Sequence, residues 1–405
     1  MHKALRESAP NAFFKLIRNE IPYFFRLGVL DVFFIGCTSH KELETYVSHF
    51  RYEYDTIMRS YNTDFTKGYT GGIDVIFQDS SLFKVYNFCR VNEIKIVNYM
   101  NETVYSLPQY NSNCDVIYTA IRNNDVYVTT TDNKIYVYCD KGRERELVID
   151  LMQIDQFKQS GLTVEWVKPG GDQQVNVPDK IIYFRVNQNY DDSLGKYSTP
   201  EYDFPTFAKL NIETKELNFY GKTPYSDVYG QYGFVSDGFD LYIGDYIIAH
   251  NAVNGEIEKI NTLTGKITKT VVKSRFDKIP IEKVNYPEDK KDVNNIKMKH
   301  YLLSPHYEPL FYNPYTNCYY RIFHPMMNEF NSEGLLHTAQ DKKSVLMVLN
   351  SNFELMDEVF LPINQMMVLK LIPTQNGVEI YLPELANRTE QKATFQFLSI
   401  QHFKK

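Results

Sequence analysis

Six copies of a two-strand unit run along this 405-residue chain, and a repeat of that kind restricts the fold more than any single residue does. In each copy about six residues alternate apolar and polar, the two-residue period of a half-buried strand, before a polar turn and a second alternation. Asp125 to Thr130, the turn Thr131 to Asn133, and Lys134 to Tyr138 form the clearest copy. The matching second strand recurs from Phe83, Phe207, Ile257, Val345 and Thr394. Neighbouring copies start roughly fifty residues apart, or roughly seventy to ninety where a loop has grown, which is the range of a four-stranded propeller blade. Three copies run on through a turn into an outer strand, at Ile212 to Leu217, Asn261 to Ile267 and Asn350 to Leu355. Asn and Gly tolerate the positive φ of tight hairpins, and a Thr hydroxyl bonds nearby backbone. The expected fold is all-β: a six-bladed β-propeller with a short N-terminal helical or signal segment.

A repeat architecture uses a chain of this length for one closed object rather than two or three domains. The sequence is 43% hydrophobic and 23% charged, enough apolar surface for a packed core. Its 32 Tyr and 27 Phe suit pleated, half-buried surface. A net charge of -6 supplies no global attraction for a polyanion, so no nucleic acid is expected as a partner. Regular spacing breaks at residues 155–177, 187–205, 273–299 and 325–341, where loops projecting from a face would carry binding groups. An open propeller leaves unpaired edges, so either the first strand or the last must complete a blade from the other end of the chain. The segment Glu42 to Phe65 is the candidate at the front, and the runs from Glu379 and Phe395 form the last hairpin.

Leu27 to Gly36 is apolar but too short to span a bilayer, follows Arg18 and Arg26, and ends immediately before Cys37. It resembles a bacterial lipoprotein signal, with Cys37 as the lipidated residue and Lys41, Glu42 and Glu44 as an export-type stretch. Asp31 inside the run and Phe34 three before the cysteine depart from that pattern. The expected division is 1–36 as signal peptide or N-terminal helix and 37–405 as one propeller domain. The alternative is an ordinary amphipathic helix over 11–36 with Cys37 as a buried thiol, which would make the protein cytoplasmic. Cys89, Cys114, Cys139 and Cys318 have no paired close spacing, so no zinc motif is read from them, and no metal or cofactor is assigned.

The densest polar and aromatic stretch is Ser304 to Pro325. Leu310 to Tyr312 and Cys318 to Phe323 read as paired strands around an Asn313-Pro314 turn, which places His306, Glu308, Arg321 and His324 toward the open end of one hairpin. Arg321 offers a planar fork of donors to an anion, or pairs with a cross-strand carboxylate. Metal or general-base work by the histidines requires convergence with carboxylates in three dimensions. Trp166, and Tyr229 and Tyr232 in a Tyr-Gly cluster, would stack on sugars, although a lone Trp also serves as packing. No Gly-rich phosphate loop, serine elbow or two-histidine helical zinc motif is found.

In the Tyr312-Asn313-Pro314 turn, the strand Tyr319 to Ile322 and Cys37 with its acidic flank, the chain resembles a family of Bacteroidetes envelope proteins of unknown function, six-bladed propeller-like lipoproteins of TolB-type shape. The resemblance implies the fold, a location in the outer membrane through a lipid on Cys37, and no catalytic residue. The expected function is a monomeric, non-catalytic binding or scaffolding module for a glycan, peptide or protein partner at a propeller face. The alternatives are a glycan hydrolase or lyase using His306, Glu308, Arg321 and His324, and a cytoplasmic protein-interaction propeller.

Overall fold

A computed structural model of the chain divides into two compact units, Met1–Val47 and Ser48–Lys405. It describes residues 50–61, 73–78, 81–88, 93–98, 104–106, 116–122, 125–130, 132–139, 144–164, 173–188, 205–221, 241–282, 293–338, 341–362, 371–388 and 393–404, all in the second unit. Cys37, Trp166, Tyr229, Tyr232, Cys89, Cys114 and the whole expected signal segment lie outside the described residues.

The described residues form six sheets. The first strand, β1 (Phe50–Tyr61), belongs to the sheet that ends the chain. The next sheet follows chain order through β2 (Ile73–Gln78), β3 (Ser81–Phe88), β4 (Glu93–Asn98) and β5 (Val104–Ser106). A second meander comprises β6 (Val116–Arg122), β7 (Asp125–Thr130), β8 (Lys134–Cys139) and β9 (Glu144–Asp150). Between it and the next sheet, the Asp150 side chain accepts from Met152 N at 3.0 Å to start a 3-10 turn. The short helix α1 (Asp155–Ser160) then ends at Gly161 with φ 68°, in the left-handed conformation that suits glycine. Part of the interruption expected at 155–177 is thus a small helical corner, fixed by Phe157 packing into the core.

The third sheet contains β10 (Leu162–Val164), β12 (Ile181–Gln188), β13 (Phe207–Asn211) and β14 (Leu217–Tyr220). The intervening β11 (Gln173–Val175) leaves that order and pairs parallel with β15 (Leu241–Ile243), adding a fifth strand to the sheet continued by β16 (Tyr246–His250), β17 (Glu256–Asn261) and β18 (Ile267–Val271). Helix α2 (Val293–Leu303) leads into β19 (His306–Asn313), which pairs in turn with β20 (Cys318–His324), β21 (Val345–Leu349) and β22 (Leu355–Phe360). The last sheet is β23 (Leu371–Thr374), β24 (Gly377–Arg388), β25 (Ala393–Lys404) and then β1. Here the two ends of the repeat region meet, antiparallel, from Phe50 opposite Lys404 to Tyr61 opposite Ala393.

Each of the six recurring second strands read from sequence lies in a different sheet: β3, β8, β13, β17, β21 and β25. Four pairs of successive sheets share apolar cores among the described residues. Ile135 and Val137 pack with Ile182 and Phe184, Tyr183 and Phe207 with Tyr242 and Ile247, Leu241 and Ile257 with Tyr319 and Met347, and Ile322 and Leu346 with Ile380 and Ile400. Inner strands such as β20 and β21 are buried on both faces, whereas the edge strand β18 is exposed along its length. Tyr183 stacks on Tyr242 with ring centroids 5.0 Å apart across one such junction. The architecture is mostly β, built from several four-stranded antiparallel sheets and one five-stranded sheet.

Candidate functional site

The polar cluster of β19 and β20 begins with a backbone irregularity. His306 pairs with His324 and Tyr307 with Phe323, but register then shifts, so that Leu310 faces Arg321. Pro309 sits within the shift, where its missing N–H breaks no ladder bond, and a bulge of this kind turns side chains and carbonyls out of the regular pattern. His306 and Glu308 alternate onto one side of the extended strand. His324 reaches the same place from the neighbouring strand, so the convergence required of these residues is present.

Glu308 Oε1 lies 3.2 Å from His324 Nε2 and 3.7 Å from His306 Nε2. The Tyr301 hydroxyl, from the last turn of α2, donates to the same oxygen at 2.8 Å, and its ring lies 4.2 Å from the His306 ring. The two imidazole centroids are 4.6 Å apart. On their far sides His306 Nδ1 faces Ser304 O at 3.1 Å, while His324 Nδ1 faces Lys343 O at 3.2 Å and Ser344 Oγ at 3.2 Å. A carbonyl accepts and never donates, so both Nδ1 atoms carry a hydrogen, and both Nε2 atoms are turned to the Glu308 side of the cluster. Lys342 closes the cluster by donating from Nζ to Ser304 O at 2.8 Å.

Relative exposures are 1% for His306, 6% for Glu308 and 0% for His324, Arg321 and Lys342. Burial pushes the His306 imidazole down to about 4, with His324 and Lys342 acting in the same direction against the Glu308 carboxylate. Burial alone would raise the Glu308 carboxyl, but His306 and His324 outweigh it and hold the group below the usual carboxylate range. Burial also lowers the Lys342 ammonium to about 7.

Arg321 is in the same hairpin but faces elsewhere. Its Nε donates to Glu308 O at 3.1 Å, Nη1 to Gly255 O at 3.2 Å and Nη2 to Asn251 O at 2.8 Å, and the guanidinium lies 4.6 Å from the Tyr307 ring centroid. These three donors serve backbone carbonyls and tie β20 to β19 and to the turn before β17. Sequence reasoning missed Tyr301 and Lys342. Both flank the hairpin in sequence, but helix α2 and the segment before β21 had not been recognised as walls of the site. The Cys318 thiol is buried and donates to Thr316 O at 3.4 Å.

Fold and site define a mostly β protein of four- and five-stranded sheets that encloses a buried His-Glu-His cluster. The chain matches no known family profile and no curated protein by sequence. In fold it is similar to a member of the DUF4221 family from Bacteroides vulgatus, at a TM-score of 0.58 and 14% identity over 88% of this chain and 99% of that one. A candidate exported protein from Bacteroides fragilis aligns at a TM-score of 0.49 and 10% identity over 86% of this chain and 95% of that one. At 14% identity the first likeness concerns the fold alone. Among the described residues no helix is long and apolar enough to cross a membrane.

Proposed function

We propose that the chain is a six-bladed β-propeller of the cell envelope, a lipoprotein anchored through Cys37, that binds a glycan, peptide or protein partner without transforming it. Six repeat copies in six sheets, apolar cores shared between successive sheets, and a last sheet completed by β1 all favour the propeller. The likeness in fold to a DUF4221 member from Bacteroides vulgatus is in keeping with the resemblance to Bacteroidetes proteins of unknown function.

The observation that carries the non-catalytic reading is the enclosure of the cluster. His306, Glu308, Arg321 and His324 are the residues a glycan hydrolase or lyase would use here, and all four are at most 6% exposed. A general acid must come within hydrogen-bonding reach of the glycosidic oxygen. These groups instead meet one another, neighbouring side chains such as Tyr301, Ser344 and Tyr307, and backbone. Binding then falls to residues elsewhere, with Tyr229, Tyr232 and Trp166 the candidates for stacking.

The test is incubation of the full chain with envelope and host polysaccharides, with retention read by affinity electrophoresis and products by mass spectrometry. Retention without shortened product is expected. Glycan cleavage that disappears in Glu308→Gln would overturn the reading.

A further inference from the structure

The His306, Glu308 and His324 side chains form a compact donor set whose ligand atoms all lie within 4.8 Å of one another. We propose that these three residues hold a divalent transition-metal ion, zinc foremost, as a structural staple between β19 and β20. The proposal does not depend on the envelope-binding function, since a staple requires no ligand on the outer surface.

The spacing fits. Ligands about 2.0–2.1 Å from a tetrahedral zinc stand roughly 3.3 Å from one another. Glu308 Oε1 is already 3.2 Å from His324 Nε2 and 3.7 Å from His306 Nε2. The third separation, between the two histidine ligand atoms, is within 4.8 Å. Among the described residues His324 Nε2 is fully buried, lies 3.2 Å from Glu308 Oε1 and meets no partner in hydrogen-bond geometry.

The outer contacts are those that metal-binding residues need. A ligating histidine usually donates its other ring N–H to a carbonyl or carboxylate, and a ligating carboxylate is itself hydrogen-bonded. His306 donates to Ser304 O, His324 to Lys343 O, and Glu308 accepts from Tyr301. Two imidazoles and one carboxylate suit zinc and neighbouring transition ions, whereas calcium and magnesium favour all-oxygen sites. The remaining coordination position falls to a water or to the Tyr301 oxygen. Enclosure of the cluster makes the ion structural, because a catalytic zinc keeps an open position toward substrate.

The test uses the full chain without a histidine tag, dialysed against zinc and then zinc-free buffer, with bound metal measured by mass spectrometry. Cobalt(II) replacement reports geometry through visible absorption. About one zinc per chain is expected, with a tetrahedral cobalt spectrum and a fall in melting temperature on chelation. Glu308→Gln and His324→Ala should lose the stoichiometric zinc. Tyr301→Phe keeps the ring against His306 and should fold, yet weaken zinc binding about 10- to 100-fold through the lost contact to Glu308. A wild-type chain that retains no zinc would overturn the proposal. So would a folded Glu308→Gln that retains zinc as tightly as the wild type. If either ligand variant fails to fold, the wild-type stoichiometry and Tyr301→Phe decide the question.

Discussion

The backbone N–H of Phe50 donates to Asp357 Oδ2 at 3.1 Å across a sequence separation of 307 residues. It joins the first residue of β1 to β22 of the preceding sheet, while β1 itself is held in the last sheet by β25. Asp357 is fully buried, and its other oxygen accepts from Glu358 N at 2.8 Å. Asp357→Ala leaves two amide donors without this acceptor and should destabilise the chain by about 1–3 kcal/mol. Chemical denaturation of wild type and variant measures it. An unchanged midpoint would show that the junction of the chain ends does not limit stability.

Arg321 should behave as a structural residue and not as a ligand-binding one. Its guanidinium satisfies carbonyls of Glu308, Gly255 and Asn251 in three directions. Lysine retains the charge but loses the planar fork. Both Arg321→Lys and Arg321→Met should therefore destabilise, the latter by about 3 kcal/mol or more. Thermal unfolding distinguishes this from a surface anion site, where removing the charge would weaken ligand binding and leave the melting temperature in place.

Lys342 should impose a cost that depends on pH. Burial lowers its pKa from 10.5 to about 7 in the folded chain. Above the unfolded value both states are neutral and the cost vanishes. As pH falls toward about 7, the unfolded state binds a proton that the folded state resists, so the cost grows, and it levels off below the folded pKa. Lys342→Met should therefore stabilise the chain near neutral pH by on the order of 2 kcal/mol, after allowing for the lost hydrogen bond to Ser304. The gain should shrink toward about pH 10. A gain that is constant over this range would contradict the assignment.

Two glycines separate backbone strain from crowding. Gly255 has φ +74° and Gly265 φ +70°. A Cβ on Gly255 would lie 2.6 Å from Val272 O, whereas one on Gly265 meets nothing within 4 Å. Gly265→Ala should cost about 1–2 kcal/mol, the price of the left-handed conformation alone. Gly255→Ala should cost more, about 3 kcal/mol or above, because backbone must move and Gly255 O also holds Arg321. Equal losses at the two positions would show that the crowding at Gly255 relaxes freely.

Local alternation made the strands legible. Asp125–Thr130 and Lys134–Cys139 are strands with Thr130 opposite Lys134, and the outer strands expected after Ile212, Asn261 and Asn350 are β14, β18 and β22. The open end of the Ser304 to Pro325 hairpin was legible for the same reason. Longer-range relations left no local signal. Asn313 reads as a turn residue, yet its side chain is buried and donates to Thr374 O and Gly377 O at 2.8 and 2.7 Å. β11 pairs parallel with a strand some seventy residues later, and nothing in three residues of sequence announces that partner. Helix α2 was missed because its apolar residues do not recur on a clear helical stripe. Its Tyr301, and Lys342 from the opposite side, complete a cluster that no spacing rule would have assembled.

The proposed anchoring at the envelope would determine which ligands the protein meets, and it is tested most directly by intact-mass analysis of the full chain recovered from membrane and soluble fractions of its native host, with Cys37→Ala as control. A membrane-bound chain beginning at Cys37 and carrying a diacyl or triacyl group, absent in the control, is the predicted result. A soluble, unlipidated chain retaining Met1 would contradict it.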